Sequence, residues 1–144
     1  TLNKTMSKKK YKILIVASSF YTDITSKMIM SAKEELKKNN CVYKTFQVQG
    51  SLEVPTLIAI KLKKEKYDGV LAIGCIIKGQ TTHNEVIAST ITNSLLNISI
   101  QNLKPVANCV LSCNNHKQAI ARTKGSKNRA AEAVGAIISV LDNI

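Results

Sequence analysis

Apolar and polar positions divide the chain into two alternating kinds of segment. The first kind is short, rich in Ile, Val and Leu, and bounded by polar residues, which predicts buried strands. These segments are residues 11–20, 41–48, 67–77 and 104–112. The second kind carries apolar residues at helical spacing or is rich in Ala, which predicts helices packed on a core. Those segments are residues 21–40, 50–66, 82–102, 115–123 and 128–144.

Strands that alternate with helices indicate right-handed crossovers and a parallel sheet covered on both faces. We therefore predict an α/β protein: a flavodoxin-like three-layer α/β/α sandwich with a four-stranded parallel sheet. A chain of 144 residues suits a single domain, which we expect over residues 11–144. Residues 1–10 are expected to form a disordered basic tail, and Thr22 or Asp23 is expected to cap the first helix.

A polar segment follows each predicted strand at its carboxyl end, where ligands of such sheets bind. The four segments are SSFY, QGSLEVP, KGQTTH and SCNNH, in chain order. Because parallel strands end at the same edge of a sheet, we expect these segments to lie close together. The pattern predicts a small-molecule site at that edge.

The net positive charge of the chain indicates that its ligand is an anion. The chain has 21 Lys and Arg against 9 Asp and Glu, a net charge of +12, which favours anionic partners such as phosphorylated metabolites or nucleic acid. A nucleic-acid-binding module is disfavoured because the chain has neither aromatic–basic interleaving nor a helix-turn-helix pattern. The clusters KKKYK and KLKKEK are typical of a tail and a solvated helix end, whereas RTKGSKNR leads into a helix.

Apolar length and cysteine usage indicate a cytoplasmic protein. No apolar stretch approaches the ~20 residues that span a bilayer, and the start lacks the apolar region of a signal peptide. Cys41, Cys75, Cys109 and Cys113 are expected to be buried free thiols. Cys109 and Cys113 share a strand face but lie about 13 Å apart, too far to bind one zinc ion, so no metal site is predicted.

Three candidate residues each have two interpretations. Phe20 either stacks on a planar heterocycle or packs its helix onto the sheet. Glu53 either contacts a ligand or is simply a carboxylate favoured at a helix start. His83 either transfers protons near neutral pH or is a capping or surface histidine.

The loop KGQTTH is a candidate phosphate site. Gly79 permits close backbone approach, and amides and threonine hydroxyls at a helix start bind phosphate well. The loop is not a P-loop, because the G-x-x-x-x-G-K-[ST] pattern is absent. Arg122 is the best candidate for forked phosphate binding, and His116 is interpreted as an ordinary helix-start residue.

These segments, in this order, resemble the 6,7-dimethyl-8-ribityllumazine synthase family of riboflavin biosynthesis. The most specific stretch, GCIIKGQTTH, is close to the family's G-x-[VI]-I-[RK]-G-x-T-x-H. The supporting stretches are ASSFYTDIT against R-F-N-x-x-I-T, QGSLEVP against P-G-[AS]-x-E-[IL]-P, and QAIART…KNRAAEA against Q-A-x-x-R-A-G…G-N-K-G-x-E-A. The resemblance extends from Lys12 to Leu141.

The resemblance implies condensation of 5-amino-6-ribitylaminouracil with 3,4-dihydroxy-2-butanone 4-phosphate, without a metal or redox cofactor. It implies a homopentamer, sometimes packed into sixty-subunit shells, with each site between neighbouring subunits, and no nucleic-acid or membrane partner. Phe20 would stack on the pyrimidine, and His83 would transfer protons. The ribityl chain and ring would be held by Ser51, Leu52 and Glu53. The remaining implied substrate-binding positions are Ile76, Ile77, Gly79, Gln80, Thr81, Asn108 and Arg122. Among these, Gly79, Gln80, Thr81 and Arg122 would bind the phosphate, and Glu132, outside that set, would orient the basic cluster.

The chain departs from the family pattern at several of these positions. Gln49 replaces a proline, Leu52 replaces an aromatic residue, and Asn108 replaces an aromatic residue that would form a wall of the pyrimidine pocket. The loop after Arg122 is one residue shorter, so either Lys124 or Lys127 would substitute for the family's lysine. The alternative function is therefore a catalytically impaired homologue that binds lumazine or flavin on the same fold.

Overall fold

The computed structural model describes residues 10–78 and 83–144, and these residues form four strands and five helices. The strands are β1 (Lys12–Ser18), β2 (Val42–Val48), β3 (Gly69–Ile77) and β4 (Val106–Cys113). The helices are α1 (Thr22–Lys38), α2 (Val54–Lys64), α3 (His83–Asn102), α4 (His116–Ala121) and α5 (Arg129–Leu141). The short 3-10 turns Ser51–Glu53 and Gly125–Lys127 precede α2 and α5. Of the tail expected at residues 1–10, residues 1–9 lie outside the described residues.

The four strands form one parallel sheet in the order β2-β1-β3-β4. Ile13 of β1 pairs with Tyr43 on one side and Gly69 on the other, and Val70 of β3 lies opposite Val106 of β4. With helices on both faces, the predicted three-layer α/β/α sandwich is confirmed. The chain moves outward from β1 to β2 and then returns to β3. The topological switch point therefore lies between the carboxyl ends of β1 and β3.

Alternate strand residues face two separate apolar cores, because successive side chains of a strand point to opposite faces. One core lies under α1 and α5, and the other under α2 and α3. In β1, Ile13, Ile15 and Ala17 enter the first core and Leu14 and Val16 the second, and all five are fully buried. Fully burying a large aliphatic side chain contributes about 1.5–3 kcal/mol, so two-sided burial is the main source of stability. No helix among the described residues combines the length and the apolar character needed to cross a membrane.

The start of α1 differs from the expectation. Tyr21, with φ 57° and ψ 57°, occupies the position before the helix, and no side chain caps it. The Thr22 hydroxyl donates to the Ser19 carbonyl at 2.5 Å, and Asp23 pairs with His116, Oδ2 to Nε2 at 2.6 Å. The prediction of Thr22 or Asp23 as the cap was wrong, because both side chains make other contacts.

Glu65 is the centre of a polar network at the amino-terminal end of the sheet. Its carboxylate pairs with Lys12 and with Lys44, whose Nζ lies 2.8 Å from Oε2, and it accepts a 2.7 Å hydrogen bond from the Tyr67 hydroxyl. These contacts, the one with Lys12 foremost, lower the pKa of Glu65 from 4.5 to about 2. Burial, and then the bond to Glu65, raises the pKa of Tyr67 to about 12. The network ties the end of α2 to β1 and β2.

Replacing Glu65 with Gln is expected to lower the melting temperature at pH 7 and to weaken its acid dependence. Because the pKa of Glu65 is lower in the folded state, its stabilisation is complete above about pH 4.5 and disappears as the pH falls toward 2. Circular dichroism melts across this range should show the wild type and Glu65→Gln converging. The matched control is Glu34→Gln, which removes an exposed carboxylate of α1 and should change little. A constant difference down to pH 2 would contradict this account.

Candidate active site

A cavity of about 220 Å³ opens at the carboxyl edge of the sheet, beside the ends of β1 and β3. It is lined by the β1–α1 junction, the turn before α2, the end of β3 and the first turns of α3. These parts contribute Phe20 and Tyr21; Gly50, Ser51, Leu52 and Glu53; Cys75, Ile76 and Ile77; and Asn84 and Ile87. The segments SSFY and QGSLEVP thus meet at one cavity, together with residues that flank KGQTTH.

Phe20 presents an aromatic ring to the cavity from a fixed backbone. The Ser19 N–H donates to the Val48 carbonyl at 2.8 Å and the Phe20 N–H to the Gln49 carbonyl at 3.1 Å, which extends the β1–β2 pairing beyond the strands. The Phe20 side chain nevertheless remains 60% exposed. An exposed ring on an anchored backbone is available to stack on a planar ligand. Of its two interpretations, the geometry favours stacking.

Glu53 stabilises its own turn and lines the cavity at the same time. Its Oε1 accepts a 2.9 Å hydrogen bond from the Gly50 N–H. A carboxylate has two oxygens and several acceptor positions, so this contact orients the side chain and leaves capacity for a ligand.

Ser51 packs against β3 at a position where that strand has a glycine. Ser51 is buried, and its Oγ lies 3.5 Å from the Oγ of Ser18. A Cβ atom at Gly74 would lie 2.6 Å from the Oγ of Ser51 and 3.3 Å from Val110 Cγ1. Glycine at position 74 therefore allows the turn before α2 to approach the sheet.

The start of α3 is held against the end of β3. Asn84 Nδ2 donates to the Ile77 carbonyl at 2.6 Å, and Lys78 Nζ lies 3.2 Å from Glu85 Oε1. These contacts fix the two sides of the segment 79–82.

The predicted phosphate loop falls inside that segment. Gly79, Gln80 and Thr81 lie outside the described residues, so their role stays a prediction. His83 is the exposed first residue of α3 and directly precedes Asn84 of the cavity lining.

Asn108 and Arg122 lie elsewhere in this chain. Asn108 is exposed on β4, where its Nδ2 lies 3.1 Å from Thr92 Oγ1 and its Oδ1 accepts from the Val110 N–H at 2.9 Å. Arg122 follows α4, and its Nη1 donates to the Gln118 carbonyl at 3.0 Å. Neither is among the residues that line the cavity.

The remaining candidates lie at the start of α4 and after its end. Lys124 and Lys127 are both exposed. Glu132, in the first turn of α5, has its Oε1 4.0 Å from the Nε of Arg129. His116 begins α4, as its sequence position indicates, and pairs with Asp23.

Several lining residues were not predicted from the sequence. They are Tyr21, Gly50, Cys75, Asn84 and Ile87. Three of them could have been found from their place in the sequence relative to predicted site residues. Tyr21 adjoins Phe20, Asn84 adjoins His83, and Cys75 shares a strand face with Ile77. Burial, and then the proximity of Cys113, raises the pKa of Cys75 to about 12. Cys75 is therefore a neutral thiol at pH 7 and forms part of an apolar wall rather than acting as a nucleophile.

The cavity combines an aromatic ring, aliphatic walls and a few convergent polar groups. This combination suits a planar heterocycle with polar edges. No cluster of three or more His, Cys, Asp or Glu side chains in residues 10–78 and 83–144 is arranged to hold a metal ion. Fold and cavity together define an α/β protein with a small-molecule site at the carboxyl edge of its sheet.

Comparison with known proteins identifies the family. A family model described as 6,7-dimethyl-8-ribityllumazine synthase matches residues 10–144, and the chain belongs to this family. A curated relative of that name from Bartonella bacilliformis is 36% identical over 89% of this chain and 88% of its own length. Another from Bartonella henselae is 35% identical over 92% of this chain and 88% of its own length. The resemblance inferred from the motifs is thereby confirmed.

The likeness reaches beyond one genus. The 6,7-dimethyl-8-ribityllumazine synthase of Corynebacterium kroppenstedtii is 34% identical over 88% of this chain and 80% of its own length. A solved GDP-L-fucose synthetase from Naegleria fowleri, bound to NADP, superposes with a TM-score of 0.45 at 11% identity over 92% of this chain and 44% of that one. That structural likeness is too low to bear on fold or function.

Replacing Gly74 with Ala is expected to displace Ser51 and to weaken ligand binding in the cavity. The added Cβ would lie 2.6 Å from Ser51 Oγ, so the Ser51 hydroxyl must move, and such a displacement weakens a positioned contact by roughly ten-fold or more. Fluorescence titration with 6,7-dimethyl-8-ribityllumazine measures the change. The control is Gly135→Ala in α5, where an added Cβ meets nothing within 4 Å. It should stabilise the helix by about 0.5–1 kcal/mol and leave binding unchanged. Wild-type affinity in Gly74→Ala would contradict the proposed role of glycine here.

Proposed function

We propose that this chain condenses 5-amino-6-ribitylaminouracil with 3,4-dihydroxy-2-butanone 4-phosphate to give 6,7-dimethyl-8-ribityllumazine in riboflavin biosynthesis. The observation that carries this proposal is the family match over residues 10–144, and curated relatives are named as synthases of the same product. Atoms balance when one phosphate and two waters leave. Since nothing else is gained or lost, the reaction needs no external oxidant or reductant.

The chemistry consists of four steps that each move a proton. An amine of the pyrimidine attacks the ketone and expels water to form an imine, and phosphate is then eliminated. Loss of phosphate leaves an enol, which tautomerises to a new ketone at the neighbouring carbon. The second amine closes the ring onto that ketone, and a second water leaves. Holding the two substrates side by side contributes most of the rate enhancement, because it replaces an encounter in solution.

The cavity of a single chain suits the pyrimidine substrate. Phe20 would stack on the ring, while Ser51 and Glu53 would bond to the ring edge and to the ribityl hydroxyls. Leu52, which is 48% exposed, would cover the ligand with aliphatic surface. Ile76 and Ile77 would form the wall supplied by β3.

The phosphate substrate would bind at the loop between β3 and α3. The amides of Gly79, Gln80 and Thr81 would surround the phosphate, as backbone donors at a helix start commonly do. His83, at the end of the same loop, would carry protons between the substrates. Arg122 would come from a neighbouring copy, because it is not among the residues that line the cavity of its own chain.

A homopentamer is the assembly that we propose, and α3 carries the supporting surface. Val86, Leu96, Ile100 and Leu103 are all at least 58% exposed, and their spacing places them along one face of the helix and its end. None of the 21 Lys and Arg residues lies between residues 79 and 103. An apolar, nearly uncharged face on a chain of charge +12 is typical of a surface covered by another subunit.

Replacing Ile100 with Glu is expected to dissociate the assembly, because it buries a charge without a partner in the contact. Light scattering after size-exclusion chromatography should show a smaller species, and lumazine formation should fall along with it. The matched control is Met30→Glu on α1, where Met30 is equally exposed at 62%. That variant should keep the wild-type mass. An unchanged mass for Ile100→Glu would show that this face is not the subunit contact.

A cytoplasmic location is the remaining part of the proposal. All four cysteines are buried and none is joined in a disulfide bond, as is usual for proteins kept in a reducing compartment.

Replacing His83 with Ala is expected to slow lumazine formation by roughly 10- to 10⁴-fold, because a positioned proton-transfer group is lost. The test mixes the two substrates with protein and follows the absorbance of the product. The chain's other histidine supplies the control: His116→Ala should retain most of the activity, since His116 contacts Asp23 and does not line the cavity. Full activity in His83→Ala would remove His83 from its role. Tight lumazine binding by the wild type without turnover would instead identify the chain as an impaired binding homologue.

A further inference from the structure

Tyr21 has a backbone conformation that residues with large side chains avoid. Its φ of 57° lies in the left-handed region, where contact between Cβ and the backbone is unfavourable. Asn40 and Leu103 share positive φ values, but both follow the ends of helices, where a left-handed residue is common. Tyr21 instead precedes a helix, at a position that normally has extended backbone. Backbone strain of this kind is often retained at binding sites.

The chain on both sides holds Tyr21 in this conformation. The Phe20 N–H donates to the Gln49 carbonyl at 3.1 Å, and the Tyr21 carbonyl accepts from the N–H groups of Ile24 and Thr25 at 2.9 and 3.0 Å. The strand end and the helix start are thus both fixed, and Tyr21 must make the turn between them.

The turn brings two neighbouring aromatic rings to the same cavity. In extended backbone, successive side chains point to opposite faces, and only one of the two would reach the ligand. Here both Phe20 and Tyr21 line the cavity. Their ring centroids are 4.7 Å apart with an interplanar angle of 78°, the edge-to-face arrangement that aromatic pairs favour.

The two rings differ in how firmly they are held. Phe20 is 60% exposed, whereas Tyr21 is half-buried and packs against the core under α1 and α5. The Tyr21 ring is therefore the support against which the exposed Phe20 ring rests. An unsupported ring would have to be ordered when the ligand binds, which weakens binding.

From this geometry we infer that Tyr21 is a positioning residue, which holds the Phe20 ring in place for stacking on the pyrimidine substrate. The inference rests on the proposed function for the identity of that substrate. It assigns Tyr21 a role toward one of the two substrates only, since Phe20 stacks on the pyrimidine and not on the butanone phosphate.

The test measures KM for each substrate in four variants of the full chain. Tyr21→Phe keeps the ring and should behave like the wild type. Tyr21→Leu should raise the KM for the pyrimidine by about 3- to 10-fold, as expected for the loss of an aromatic pair. The KM for the butanone phosphate should stay within about two-fold of the wild-type value, because changes at independent sites affect one another by no more than about that factor. Phe20→Leu and the double variant Phe20→Leu with Tyr21→Leu complete a double-mutant cycle.

The cycle separates positioning from simple packing. If Tyr21 acts through Phe20, the double variant should bind the pyrimidine no more weakly than Phe20→Leu alone. Additive losses, equal changes for both substrates, or no change in Tyr21→Leu would each overturn the inference. Should Tyr21→Leu fold poorly, as judged by its melting temperature, Tyr21→Met takes its place with the same expected split.

Direct binding distinguishes failure of this inference from failure of the proposed function. The chain has no Trp, so quenching of its tyrosine fluorescence by added 6,7-dimethyl-8-ribityllumazine reports binding in the wild type and in Tyr21→Phe. A wild type that neither binds the lumazine nor turns over the substrates would refute the proposed function and the inference with it. An active wild type with an unaffected Tyr21→Leu would refute the inference alone.

Discussion

Burial of β3 on both faces is the constraint on which the rest of the structure depends. Residues 69–76 are all buried, and exposure begins only at Ile77. A strand enclosed by two apolar cores has no place for unpaired polar side chains, since each would cost about 1–3 kcal/mol. Polar chemistry therefore begins where the strand leaves the two cores, at Lys78 and the loop that follows. The junction after β1 and the turn before α2 reach the same edge, because parallel strands all end there.

Close packing at that edge decides which side chains reach the ligand. The turn before α2 lies so near β3 that a Cβ atom at position 74 would come within 2.6 Å of Ser51 Oγ, and this approach brings Ser51 and Glu53 toward the cavity. Asn84 ties the start of α3 to the Ile77 carbonyl at the end of β3, which places Asn84 and Ile87 beside the same cavity. The site is thus positioned by the packing of four elements, and each polar contact depends on apolar contacts behind it.

A single chain contains only part of the proposed site. Phe20, Ser51 and Glu53 line one cavity, whereas Arg122 and Asn108 are not among its lining residues. The exposed apolar face of α3 accounts for this division if subunits meet there, because a neighbouring copy would then add its own cationic residues. Assembly and catalysis would depend on each other, and the net charge of +12 would help attract the phosphorylated substrate.

The sequence by itself determined the element types and the family. Strands and helices follow from apolar periodicity, which reflects burial on one face or two. The ordered motifs around GCIIKGQTTH indicated the lumazine synthase family. The sequence also made Phe20 and Glu53 candidates, each with a structural alternative, and the family resemblance added Ser51. Only the tertiary structure decided the strand order, the need for glycine at position 74, and the left-handed turn at Tyr21. Those features arise from contacts between residues far apart in the chain, and local periodicity carries no information about such distances.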